Sequence, residues 1–381
     1  MNFIDDHGMQ RNKKGHLVCG DYFVCERSEK GVVAILCDGV GSGVYANISA
    51  INCASRILEM YRNGMSIRLA SEKVAASMYR ARREDVPFSA FTAAVVQPGG
   101  QFRVYSYESP SPILISKDYH ATVLSPRFYT VGFEVIAEVS GFLGLGDSLL
   151  MFSDGVSQAG MGHGHSFGIG SEGVAEHINK NYGIASDIGK LPGKLMFMCK
   201  NLGKGFYDDD TTIEILHCRK AKELTLLTGP PSKQSMDNAY VTDFMNKPGK
   251  KVACGSTTIE IISRELGREA KILSLGTSFG MPPEYQIEGI DVVTEGAITL
   301  NQVFNILDEP AERLDDDSVV ERLALMLHEA DVINLMIGNA QNQAHEDLIF
   351  KQIGVHVRKA TVQRIAERMT ALGKLVVKKY Y

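Results

Sequence analysis

A chain of 381 residues with 44% hydrophobic and 22% charged side chains can bury large cores and is long enough for two domains or three. Its net charge of −5, with no basic tract, argues against nucleic acid as a partner. No apolar run reaches the roughly 18 residues of a membrane span, and the opening MNFIDDHGMQRNKKG lacks an apolar signal core, so a soluble, cytoplasmic protein with no membrane partner is expected. Seven scattered cysteines without a C-x-x-C pair read as reduced, mostly buried thiols. Residues 1–14 are polar and read as loosely held. From there to about residue 217, apolar runs of four to eight residues recur between Gly, Pro and Ser turns: HLVCGDYFVC, GVVAILC, AFTAAVV, FRVYSYE, PILIS, FEVIAEV, SLLMFS and TTIEIL. That density of strands predicts antiparallel sheets. VYANISAINCASRILEMYRNG and SIRLASEKVAASMYRARRE carry apolar residues every three or four positions and predict helices, the first ended by Gly64. SEGVAEHINKN and LPGKLMFMCKNL predict two more. Strands with paired helices outside them give an α+β class.

The stretch that organises this half is VVAILCDGVGSG, Val32 to Gly43. An apolar, β-branched run delivers Asp38 to a buried strand end, and Gly39, Gly41 and Gly43 turn the chain into the next helix. A carboxylate buried there needs a positive partner, and a hard divalent cation suits it. Three echoes follow: Gly20-Asp21 opening a strand, Asp154-Gly155 after SLLMFS, and Asp208, Asp209 and Asp210 before Thr211, Thr212 and IEIL. Each alone is an ordinary turn. Together they form a carboxylate set that would repel itself without cations. Magnesium and manganese take oxygen ligands, and two such ions can bind and activate a phosphate monoester for in-line attack. The rival for DGVGSG is a dinucleotide-binding turn. Asp38 would oppose the pyrophosphate there, and no later strand ends in an acidic residue for a ribose. A cysteine-nucleophile phosphate loop, H-E-x-x-H, G-x-S-x-G and the P-loop are all missing.

The segments GDYF, CDGVGSGVYANISA, SAFTAAVV, ESPSPILIS, GLGDSLLMFSDGVSQAG, SFGIG and DDDTTIEIL, in this order over residues 14–216, resemble the metal-dependent (type 2C) protein serine/threonine phosphatases, in particular the stage II sporulation protein E branch. The resemblance implies an α-β-β-α sandwich with two Mn2+ or Mg2+ ions. Asp38 would bridge them, the Gly39 carbonyl would assist one, Asp154 and Asp209 would hold the other, and Asp21 would support the site directly or through water. Asp38, Asp154 and Asp209 are then the catalytic set, and Asp210 has a supporting part. The branch acts on phosphorylated regulators of sigma-factor networks, so a phosphorylated regulatory protein, of the anti-sigma-factor antagonist kind, is the implied partner. A binding protein that keeps the fold without catalysis is the alternative. ESPSPILI replaces a Gly-His-Pro-Pro stretch common in relatives, and the loop GMGHGHSFGIG carries His163 and His165, either as a substrate flap or as a solvated loop. Asp147, in GLGDSLL, is expected to shape a turn.

Near residues 218–223 the texture changes, giving a phosphatase domain over 1–218 and an α/β domain over 219–381. Strands there alternate with longer helices, STTIEIISRELG, DSVVERLALMLHEA and KATVQRIAERMTALG, as in a parallel sheet. TLLTGPPS, VACGSTT, LSLGTS, VVTEGAIT and LMIGNAQ repeat one device, an apolar run followed by Gly229, Gly255, Gly276, Gly296 or Gly338 and small polar residues. Such residues serve strand-to-helix turns, and equally let backbone N–H groups meet an anion, as at Ser256, Thr257 and Thr258. A small ligand at this edge, with a regulatory role, is the open reading.

Overall fold

A computed structural model describes residues 1–83, 88–183, 186–276, 280–340 and 358–381. The chain divides into two compact units, Met1–Lys220 and Ala221–Tyr381. Thr277, Ser278 and Gln341, the polar ends of two of the glycine motifs above, lie outside the described residues.

The first unit has eleven strands: β1 Asn2–Arg11, β2 Asp21–Ser28, β3 Gly31–Gly39, β4 Ser89–Val96, β5 Gln101–Tyr107, β6 Ile113–Ile115, β7 Ala121–Val123, β8 Arg127–Val131, β9 Glu134–Phe142, β10 Ser148–Phe152 and β11 Thr211–Lys220. They form two antiparallel sheets, ordered β1-β11-β10-β6-β7 and β2-β3-β4-β5-β9-β8. Strand β3 shows why they stack. Successive side chains of a strand point to opposite faces. Val33, Ile35 and Cys37 pack with Ala50, Cys53, Ile57 and Val74 of the helices α1 Val44–Arg62 and α2 Ile67–Arg83. Val32 and Ala34 pack instead with Leu149, Met151 and Leu216 of the other sheet. That second sheet is covered on its far side by α4 Gly170–Asn181 and α5 Leu191–Leu202, through Val174, Ile178, Leu195 and Met196. A one-turn helix, α3 Asp154–Ser157, follows β10. The layers are helix, sheet, sheet, helix, and the class is α+β. Helix α1 stops at Arg62, before Gly64 at φ 88°, as the sequence predicts.

The opening segment departs from expectation. Residues 2–11 are not loosely held but pair residue for residue with β11, from Asn2 opposite Lys220 to Arg11 opposite Thr211. The strand lies at a sheet edge and keeps Asp5, Asp6 and His7 half-exposed, while Phe3 and Ile4 are buried. A ladder of backbone hydrogen bonds holds a segment whose side chains announce little burial. All seven cysteines are free, buried except for half-buried Cys25. Among the described residues no helix is long and apolar enough to cross a membrane.

The second unit is a seven-stranded sheet of β12 Glu223–Thr228, β13 Lys250–Cys254, β14 Lys271–Ser274, β15 Glu284–Gln286, β16 Val292–Thr294, β17 Val332–Ile337 and β18 Leu375–Tyr380, in the order β14-β15-β16-β13-β12-β17-β18. β16, β13, β12, β17 and β18 are parallel; β15 runs against both its neighbours. Helices α8 Ala297–Ile306, α9 Val319–Glu329 and α10 Arg358–Ala371 pack on one face, and α6 Asp237–Asn246 and α7 Ser256–Leu266 on the other. With both faces covered, the central strands β12, β16 and β17 are buried almost throughout, which is why they read so clearly, whereas the edge strand β14 is exposed.

Candidate active site

Asp21 and Asp38 are directly opposite each other in the β2–β3 ladder, so both point to the same face, the gap between the sheets. Asp154 opens α3 where β10 ends, and Asp208, Asp209 and Asp210 precede β11. Because β10 and β11 are paired, these two ends arrive together: Ser153 N–H donates to the Thr212 carbonyl, and the Thr212 N–H donates to Ser153 Oγ at 2.9 Å. The two Asp-Gly pairs have steric reasons. A Cβ on Gly39 would sit 1.9 Å from the Ala46 carbonyl oxygen in the first turn of α1. One on Gly155 would sit 2.2 Å from the Asp210 carbonyl oxygen. Only glycine lets these backbones approach so closely.

The electrostatics are those of crowded acids. Asp21 is 1% exposed, accepts from the Thr212 hydroxyl at 2.7 Å through Oδ2, and leaves Oδ1 without a partner. Burial pushes its carboxyl up to about 6, against the hydrogen bonds from Thr212 and Ser153. Burial first, then Asp21 and Asp154, push Asp38 up to about 10. Asp38 hydrogen-bonds Asp154, which is itself raised, chiefly by burial. Asp154 Oδ2 also accepts from Gln158 Nε2 at 2.8 Å. Asp209 raises both Asp38 and Asp154, while Asp210 acts on Asp21 and Cys19. So Asp209 is the member of the acidic run that faces the pair.

Among the described residues no three of these side chains already close on a common point as in a metal cage. The donor chemistry nevertheless fits hard divalent cations. It consists of carboxylate oxygens, one of them buried with no partner, and their crowding raises Asp38 and Asp154, a rise that a nearby cation would relieve.

Several contributors were not foreseen from the sequence. Lys13 places Nζ 3.3 Å from Asp209 Oδ1, and its backbone N–H donates to Asp210 Oδ1 at 2.9 Å. It lines a cavity of about 170 Å3 beside Asp209, with Gln158, Met161 and Tyr207. Gln10 Nε2 bridges Thr212 Oγ1 and the Asp21 carbonyl, and Asn47 Nδ2 donates to the Cys19 carbonyl at 2.8 Å. The Thr211-Thr212 doublet after the aspartates was the one visible signal. Asp147 does shape a turn: it accepts from the Gly144 and Lys117 N–H groups, both at 2.9 Å. In the glycine-rich loop, His163 Nε2 lies 3.7 Å from Asp208 Oδ2, whereas His165 borders a separate cavity with Glu172 and His177.

The helix–sheet–sheet–helix fold is that of the type 2C phosphatase class. Residues 28–219, half of the chain, match the model of the family described as Stage II sporulation protein E (SpoIIE), and the chain belongs to that family. Asp21 lies ahead of the matched residues. Among solved structures, similar chains include the phosphatase domain, with a regulatory-domain fragment, of SpoIIE from Bacillus subtilis. It is 17% identical, covers 57% of this chain and 62% of its own, and has a TM-score of 0.48. This chain therefore spans less than two thirds of that relative. The RsbU and RsbW domains of a Mycobacterium tuberculosis protein are 16% identical, with 63% and 67% covered and a TM-score of 0.45. The SiaA phosphatase domain of Pseudomonas aeruginosa is 18% identical, with 56% and 84% covered and a TM-score of 0.45. A comparison with curated proteins found no match.

Proposed function

We propose that residues 1–218 form a protein phosphatase that hydrolyses phosphoserine and phosphothreonine with two Mn2+ or Mg2+ ions, acting in the cytoplasm on a phosphorylated regulatory protein. The observation that carries this reading is the meeting of Asp21, Asp38, Asp154 and Asp209 from four separate chain segments, with Lys13 as the positive partner found among the described residues. Asp38, between the other carboxylates, would be shared by both ions; Asp154 and Asp209 would hold one, and Asp21 and the Gly39 carbonyl would support the site. When bound, the ions supply the charge neutralisation and Lewis acidity that phosphate-ester hydrolysis requires. The chain's own part is to orient and to exclude. Gln158 fixes the Asp154 carboxylate, Thr212 fixes Asp21, and Lys13 offers an ammonium to the incoming phosphate beside Asp209. Residues 219–381 are assigned a regulatory, ligand-binding role.

The test is phosphate release from a phosphoserine peptide and from an aryl phosphate by the full chain with Mn2+, with Mg2+ and with EDTA. Turnover that needs the cation supports the reading. Folded protein that binds Mn2+ yet releases no phosphate would make the chain a catalytically silent binding protein, and full turnover in EDTA would refute the metal assignment.

A further inference from the structure

In the second unit the chain lays down β12, β13 and β16 outward in one direction, then returns to place β17 and β18 on the other side of β12. In open parallel sheets ligands bind beyond the carboxyl ends of the strands, near such a reversal. A cavity of about 120 Å3 lies there, lined by Pro230 after β12, Gly255 to Thr258 after β13, Glu295 to Ile298 after β16, and Arg358.

Two helices open onto it. Gly255 and Gly296 are the N-caps of α7 and α8, neither cap carries a side-chain hydrogen bond, and neither first turn contains an acidic residue. The leading N–H groups of a helix have no intrahelical acceptor and carry its positive end. Here the two starts are held side by side. A Cβ on Gly296 would stand 3.2 Å from the Gly255 Cα, so a side chain there would fill the gap between them.

The independent observation is Arg358. It is 8% exposed, so its charge is withdrawn from water. One terminal nitrogen donates to the Gly338 carbonyl at 3.0 Å, Nε has no partner, and among the described residues no carboxylate pairs with it. The guanidinium is pressed onto Gly229, where a Cβ would overlap Cζ at 2.0 Å. Burial lowers its pKa, with Tyr240 acting against the shift. A buried cation in this state is costly unless an anion meets it. Glu295, half-buried on the same wall, is suited to accept from a hydroxyl or amine and would oppose a second negative charge.

We infer that this cavity is a binding site for the phosphate group of a small phosphorylated molecule, held by Arg358 and the first-turn N–H groups of α7 and α8, with a hydroxyl- or amine-bearing remainder directed at Glu295. A tetrahedral oxyanion has acceptors enough for donors converging from three sides; helix starts and guanidinium forks are the usual phosphate ligands.

The test is titration of the full chain with inorganic phosphate, by calorimetry and thermal shift, in EDTA and at constant ionic strength. EDTA matters because without cations the aspartate cluster of the first unit repels phosphate. The expected result is saturable binding at one site, weakened roughly tenfold or more by Arg358→Gln and by Ser256→Glu, and unchanged by Asp38→Asn. Ser256 is exposed at the first position of α7, where a glutamate favours the helix while setting a carboxylate in the opening. That variant therefore stays folded even if Arg358→Gln does not. Absence of saturable binding, binding untouched by Ser256→Glu, or binding lost in Asp38→Asn would overturn the inference.

Discussion

Thr212 reaches across the gap between the two sheets and donates its hydroxyl to Asp21 at 2.7 Å. The bond ties β11 of one sheet to β2 of the other at the point where the carboxylates gather, and it anchors a buried side chain whose second oxygen has no partner. Thr212 is itself held by Gln10 at 3.0 Å, so the edge strand β1 belongs to the same arrangement. Replacing Thr212 by Val keeps its shape and removes the donor. The expected loss is about 1–3 kcal/mol, the cost of stranding a buried acceptor, read by denaturant melts in EDTA. The Mn2+ needed for half-maximal activity should rise in parallel. Unchanged stability and unchanged cation demand together would remove Thr212 and Asp21 from the site.

Asp38→Asn tests the centre itself with two readouts. In the cation-free protein burial and the neighbouring carboxylates disfavour the charged form of Asp38, so the amide should cost little and the melting temperature in EDTA should hold or rise. Added Mn2+ should stabilise the natural chain by about 3 kcal/mol at a hundred times its dissociation constant and leave the variant where it was. Turnover should fall by about a hundredfold or more, since the shared ligand is lost. A variant that is stabilised by Mn2+ as the natural chain is, and turns over within about twofold of it, would show that Asp38 is no ligand.

How much of this was legible follows from where each signal sits. β3 is buried on both faces, so Val32 to Cys37 form an unbroken apolar run, and the Asp-Gly that follows stands out against it. The helices of both units show the 3.6-residue period because each covers a sheet. β1 was misread because an edge strand with one half-exposed face needs few apolar residues, and its partner β11 is about 200 residues away. Lys13 was invisible for the same reason: it meets Asp209 across 196 positions of chain. Arg358, between a charged neighbour and a polar helix, looks like a solvated residue until the sheet order sets it against Gly229. Asp-Gly motifs are local; the residues that tune them are not.

Lys13→Met separates substrate binding from architecture. The Lys13–Asp209 pair is about a third exposed on both sides, so its removal should cost at most about 1 kcal/mol of stability. If the ammonium meets the incoming phosphate, KM for a phosphoserine peptide should rise several-fold with a smaller change in kcat, and Lys13→Arg should restore most of it. A kcat loss at constant KM would instead place Lys13 in the support of Asp209.

The sharpest stability prediction concerns Glu214, outside the carboxylate cluster. Its neighbours in β11, Ile213 and Ile215, pack under the helices, so its own side chain enters the core between the sheets. It is 0% exposed and neither carboxylate oxygen has a partner. Gly8 and Phe23 crowd it: a Cβ on Gly8 would lie 2.6 Å from Oε2. Burial pushes its carboxyl from 4.5 up to about 9; Asp6 adds to the rise and Arg27, already paired to Asp6, offsets part of it. Between those two values the folded chain holds a proton that the unfolded chain has released. Stability from this group is therefore complete below about 4.5 and falls as pH climbs toward 9. At pH 7 the loss is about 3 kcal/mol if the group is fully shielded. Glu214→Gln keeps the volume and removes the titration. Relative to the natural chain, the variant should gain stability from pH 5 to pH 8, melting several degrees higher at the upper end, with EDTA present throughout so that cation binding does not enter. The other carboxylates titrate alike in both proteins and cancel in the difference. A difference between the two proteins that stays flat across this range would mean that Glu214 ionises inside the fold, with water or Arg27 reaching it.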